Sequence, residues 1–128
     1  MSYYHSTLLK DKDFDAAIEH VTSGLKDEGF GVLTTIDMKA TLKKKLDEDI
    51  QPYTILGACN PPAAFKALQA EGNIGTMLPC NVIVKKVEHG VEVAAVDPIA
   101  SMQSIDNPDL GGIATEINDK LKKVISNL

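Results

Sequence analysis

The sequence predicts an α+β domain in which a largely antiparallel five-stranded sheet carries two long helices on one face. Three observations point there. Five short runs rich in Val, Ile, Thr, Tyr and Leu are spread along the chain. Two apolar stripes at helical spacing lie one near each end. Between the last two β-like runs, "EHG" at 88–90 suits a tight hairpin, with Gly90 supplying a positive φ.

In chain order, residues 3–9 form the first expected strand, which stops at "KDKD". There Asp11 or Asp13 can cap a helix by accepting backbone N–H bonds. Phe14, Ala17, Ile18, Val21 and Leu25 recur at helical spacing and make one apolar stripe. Gly24 weakens that helix slightly, and Gly29 is placed to end it in a left-handed conformation. Residues 30–36, "FGVLTTI", follow as the second strand. The segment 39–46 has good helix formers but few apolar residues, so a short peripheral helix is expected.

Residues 53–58 form the third strand, closed by Cys59. Asn60 then stands where a helix cap belongs, and Pro61 takes the first helical position, where its missing N–H costs nothing. Ala64, Phe65 and Leu68 are the expected buried side of this short helix, which ends near Gly72. The fourth strand covers 80–87 and the fifth 91–96. Within the fourth, Val82 and Val84 share a face with Cys80, while Ile83 and Val87 share the other with Asn81 and Lys85. A strand apolar on both faces in its middle belongs at the centre of a sheet. Leu110, Ile113, Ile117, Leu121 and Val124 trace the second long helix, opened by Asn107 and Pro108.

Composition narrows the function classes. The 128 residues are 44% hydrophobic, enough for one domain over 1–128 with a continuous core, and no linker, repeat or low-complexity tract divides them. A net charge of −5 argues against a nucleic-acid partner. The best basic candidate, "KATLKKKLDEDI", follows three lysines at once with Asp47, Glu48 and Asp49, which reads as a solvated mixed-charge helix end. No secretory signal is expected from "MSYYHSTLLKDKDF", and no run nears the roughly 18 apolar residues of a membrane span. Two cysteines without export fit a reduced cytoplasmic compartment, where a structural disulfide is not expected.

"EGFGVL", "ILGACNPPAAFKAL", "GTMLPCNVIV" and "DPIASM" stand in an order and spacing that resembles the bacterial and archaeal family called domain of unknown function 302 (DUF302). The resemblance covers nearly the whole chain. Cys59-Asn60-Pro61 and Leu78-Pro79-Cys80 are its most specific elements. It implies a TATA-binding-protein-like α+β fold with helices on one side of an antiparallel sheet. Shared architecture implies no nucleic-acid binding. The resemblance brings no established activity.

The two cysteines admit a bland and a sharp reading. Cysteine is among the most buried residue types, and either could fill a small core space. Against that, Cys59 ends a strand immediately before a helix, where the helix dipole favours thiolate. Cys80 opens a strand that could pair antiparallel with the third, bringing the thiols together for soft-metal binding or disulfide cycling. Met77 and Met102 are further soft donors. No Cys or His spacing supports a dedicated zinc site. Cys59 shares parity with Tyr53 and Ile55, and Cys80 with Val82 and Val84. If those sets face one layer, the thiols lie on one face of neighbouring strands and stay reduced. His5, His20 and His89 read as surface residues, no local pattern names a general base, and "GLKDEGFG" is a helix with its C-cap rather than a phosphate loop.

The sequence therefore points first to a non-enzymatic cytoplasmic module that binds a small ligand or a protein partner. Its site lies at the strand ends around Cys59, Asn60, Pro61, Leu78, Pro79 and Cys80, since junctions on a rigid sheet are where binding groups sit. A thiol-dependent redox or soft-metal-handling protein using Cys59 and Cys80 is the alternative. A structural role with inert cysteines is the third. No cofactor is named by the residues. Self-association as a twofold homodimer is expected, because the strands carry more apolar surface than two helices cover.

Overall fold

The computed structural model describes residues 2–128. Its strands are β1 (Tyr4–Leu9), β2 (Gly31–Asp37), β3 (Tyr53–Cys59), β4 (Cys80–Val87) and β5 (Gly90–Val96). Its helices are α1 (Phe14–Asp27), α2 (Met38–Leu46), α3 (Pro61–Ala70), the single-turn α4 (Pro98–Ser101) and α5 (Asp109–Ser126), with a 3-10 turn at Ile74–Met77. The sheet order is β1-β5-β4-β3-β2, every pair antiparallel, so β4 is the central strand. The run from β2 to β5 is a simple meander, and β1 returns to close the far edge against β5.

Local chemistry sets the helix ends. Asp13, Asp37, Asn60 and Asp97 precede α1, α2, α3 and α4, and each accepts the backbone N–H three residues on, at 2.8, 2.9, 3.3 and 3.1 Å. Helix α1 stops in a double hydrogen bond: Gly29 N–H donates to Lys26 and Phe30 N–H to Leu25. Gly29 takes φ 85°, which a side-chain-bearing residue adopts only with strain. Glu88 and His89 make the two-residue turn from Val87 to Gly90, whose φ is 157°. Asn107 opens α5 by accepting from the Asp109 N–H at 3.0 Å. The same side chain donates to the Ala70 carbonyl at 2.8 Å, which ties the start of α5 to the end of α3.

The core lies between the sheet and the pair α1 and α5. Val21 and Leu25 of α1, Ile117 and Leu121 of α5, and Val82, Val84 and Val93 of the sheet belong to one buried cluster. Each such side chain stabilises the fold by about 1.5–3 kcal/mol through burial. A smaller cluster of Ala67, Ile74 and Leu110 sits under α3 and the loops around it, with Met102 and Ile113 packed against it. Helix α2 buries nothing, as its sparse apolar pattern predicts.

Two expectations are corrected. Helix α3 turns Ala63 and Ala67 inward, whereas Phe65 is 63% and Leu68 47% exposed. The way α3 is set over the strand ends decides this, not hydrophobicity: Ala63 and Ala67 point to the sheet, and Leu68 only borders the space beside them. In β3 the residues facing the helices are Thr54, Leu56 and Ala58, all buried, and not Tyr53 and Ile55. Pairing Leu56 with Val82 and Ala58 with Cys80 fixes that parity, since directly paired residues share a face. An extra residue in β2, Leu33, shifts the register between Val32 and Thr34 and leaves its own side chain 67% exposed.

Candidate functional site

The ends of β3 and β4, the start of β2, the loop that leads into β4, and helices α3, α4 and α5 border a cavity of about 270 Å³ that is partly open to solvent. Cys59, Asn60, Leu78, Pro79 and Cys80 line one side of it. Of the six residues predicted for the strand-end site, Pro61 is the exception: it is exposed at the first position of α3 and outside the cavity wall. Two segments far apart in the chain are thus brought to one place by the β3–β4 pairing, in which Ala58 faces Cys80.

The remaining walls were not among the predicted site residues, although the quoted stretches "ILGACNPPAAFKAL" and "DPIASM" carry several of them. Ala63 and Ala67 come from α3, Ala114 and Ile117 from α5, and Pro98 and Met102 from the α4 segment. What the alanines share is smallness. Five alanines, Ala58, Ala63, Ala64, Ala67 and Ala114, stand in the lining, and that shortfall in volume leaves the space open. The pair Ala63 and Ala67 at i, i+4 was the available sequence signal, masked by the larger Phe65 and Leu68 beside them.

No charged side chain lines the cavity among the described residues. The polar groups are the Asn60 amide and the two thiols. Asn60 is 8% exposed, and its Oδ1 accepts the Ala63 N–H as the cap of α3. Its Nδ2 lies beside Gly29, where a Cβ would come within 3.3 Å of it, and makes no hydrogen bond among the described residues. No buried side-chain nitrogen or oxygen there is left without a partner, so this nitrogen keeps contact with solvent.

Both thiols are free. They sit on neighbouring strands and border the same cavity, but Cys80 shares the helix-side face with Ala58 and Val82 whereas Cys59 has the parity of Ile55 on the other face, so the expectation of both thiols on one sheet face is corrected. Cys59 reaches the cavity from the last position of its strand. Burial pushes the Cys80 thiol from 9.0 up to about 11, and the neighbouring Cys59 adds to that shift. Cys80 is therefore a protonated, weakly nucleophilic group at neutral pH. Met102 lies in the cavity wall, while Met77 is 39% exposed and does not. The described residues contain no cluster of three or more His, Cys, Asp or Glu side chains placed to hold a metal ion.

The histidines lie elsewhere. His89 is exposed in the β4–β5 turn, and His20 on α1 contacts the Leu128 carbonyl oxygen at 3.1 Å. His5 is not the free surface residue expected: its Nε2 lies 2.8 Å from Asn118 Oδ1 of α5 and 3.7 Å from Asp97 Oδ2. Among the described residues no helix is long and apolar enough to cross a membrane.

Comparison with known proteins agrees with this architecture. Residues 5–128 match the family model described as "Domain of unknown function DUF302". The chain is also similar to a crystal structure described as an uncharacterized conserved protein DUF302 from Bacillus stearothermophilus. Identity is 25%, 98% of each chain is covered, and the TM-score is 0.91. No curated protein matches the chain.

Proposed function

The chain belongs to the DUF302 family, and on that premise we propose that it is a non-enzymatic cytoplasmic module that binds a small ligand in the cavity at the ends of β3 and β4. The observation that carries this reading is coincidence: the Cys-Asn and Leu-Pro-Cys elements, distant in sequence, line one mostly apolar cavity whose polar groups are the Asn60 amide and two thiols. Convergence of a few polar groups on a mostly apolar concavity is the usual form of a small-molecule site. A reduced compartment suits two free thiols. The test is titration with isopropylbenzene followed by amide NMR. Saturable shifts are expected at Ala63, Ala67 and Ala114, and they should vanish in Ala114→Leu, which fills the space. No saturable shift at those residues overturns the reading.

A second reading, soft-metal handling, is favoured by one observation: Cys59, Cys80 and Met102 border the same cavity. Thiolate and thioether donors select ions such as Cu(I). Competition against a Cu(I) chelator would show tight stoichiometric uptake lost in Cys59→Ser; failure to compete removes this reading. Simple dithiol redox cycling is disfavoured by the raised Cys80 value.

Homodimer formation has a surface to use. The sheet face turned away from α1 and α5 presents Tyr4, Tyr53 and Ile83 around the paired Lys85 and Glu92, whose Nζ and Oε1 lie 3.6 Å apart. A copy docked on this face across a twofold axis would meet a surface that carries both charge signs among apolar residues. Sedimentation at micromolar concentration should find a dimer that Ile83→Glu converts to monomer.

A further inference from the structure

We infer that the ligand of this cavity is an uncharged, largely apolar molecule of about ten non-hydrogen atoms, bound through one hydrogen-bond acceptor to the Asn60 Nδ2 donor. The inference rests on the ligand-binding reading and names the class of ligand.

Size comes first. A cavity of about 150 Å³ walled by Leu, Ile and Phe holds a benzene molecule of six carbons. The space here is about 270 Å³, which scales to roughly ten such atoms.

Charge is decided by what is missing from the walls. No Lys, Arg or His lines the cavity among the described residues, so an anion would enter without a counter-charge. The start of α3, which borders it, is no substitute. Its first two residues, Pro61 and Pro62, have no N–H. The next two donors are taken, Ala63 by Asn60 Oδ1 at 3.3 Å and Ala64 by the Asn60 carbonyl at 2.9 Å. No free backbone N–H remains in the first turn to hold a carboxylate or phosphate. A cation fares no better, since no Asp or Glu lines the walls.

Beside the two weakly hydrogen-bonding thiols, the Asn60 amide is the remaining polar group of the walls. The cap fixes the Asn60 side chain through Oδ1, so its Nδ2 is a donor held in position at no further ordering cost. A carbonyl, ether or ester oxygen satisfies it. An all-hydrocarbon ligand would leave it facing apolar atoms.

Three probes of nine non-hydrogen atoms separate the possibilities: acetophenone, isopropylbenzene and benzoate, each titrated into the full chain and followed by amide NMR. Acetophenone and isopropylbenzene should bind, and benzoate should not at concentrations that saturate acetophenone. Acetophenone alone should move the Asn60 side-chain NH₂ signals. In Asn60→Ser, which retains a capping oxygen, the ratio of the acetophenone Kd to the isopropylbenzene Kd should rise about fivefold. An unchanged ratio with unmoved Asn60 NH₂ signals overturns the assigned donor, and benzoate binding as tightly as acetophenone overturns the uncharged class. If neither neutral probe binds, the ligand-binding reading itself falls.

Discussion

Pro79 packs its ring against Gly57. A Cβ built at residue 57 would come 2.7 Å from Pro79 Cγ and would also collide with the Thr34 side chain. Gly57 pairs with Asn81 and its neighbour Ala58 with Cys80, so this contact seats the Leu-Pro-Cys segment on the end of β3. The Leu78-Pro79 peptide bond is cis. Gly57→Ala is expected to destabilise the protein by about 1–3 kcal/mol, the range for forcing extra volume into a packed site. Urea denaturation of the variant measures it, and a midpoint equal to wild type would show that the two segments are not in close contact.

Asn60 closes the N-terminus of α3 from a buried position. Asn60→Ala should cost about 1 kcal/mol, with most of it recovered in Asn60→Ser, which can still cap. Equal losses in both variants would mean that packing and not capping explains the effect.

The thiols should label in sequence. Cys80, buried and with its titration pushed up to about 11, is expected to resist iodoacetamide at pH 8 until the protein unfolds. Mass spectrometry of the native protein should therefore find modification at Cys59 alone. Early labelling of Cys80 contradicts its burial.

The same group ties stability to alkaline pH. Its folded value, about 11, is above the unfolded 9.0, so the unfolded chain loses the proton first as pH rises. The contribution is fully present below pH 9 and is lost between pH 9 and 11, by roughly 3 kcal/mol at most. Comparing wild type with Cys80→Ala across that window isolates it from other titrating groups. Parallel curves would mean that the thiol is not desolvated in the fold.

Ala114→Leu should leave stability unchanged or raise it by up to about 1 kcal/mol, because it fills existing space and does not overpack a closed core. A fall of 2 kcal/mol or more in thermal denaturation would show that the walls cannot accept the side chain and that the cavity is smaller than described.

The sequence determined what neighbours within a few residues can settle. Apolar stripes marked α1 and α5, where Val21, Leu25, Ile117 and Leu121 are buried. Asp13 and Asn60 were legible as caps and Gly29 as a stop, because a cap needs only a side-chain oxygen and the N–H three residues on. The expectation that β4 is central followed from its two apolar faces. Tertiary structure alone decided the rest. Which face of β3 meets the helices depends on a register set by pairing Leu56 with Val82 across the sheet, and alternation gives either answer until the partner is known. Phe65 and Leu68 look like the buried side of α3 by hydrophobicity, yet the seating of α3 on the strand ends turns Ala63 and Ala67 inward instead. The cavity leaves only a faint local trace, the small pair Ala63 and Ala67. It is unfilled volume between segments distant in the chain, and a shortfall in volume exists only once those segments are packed together.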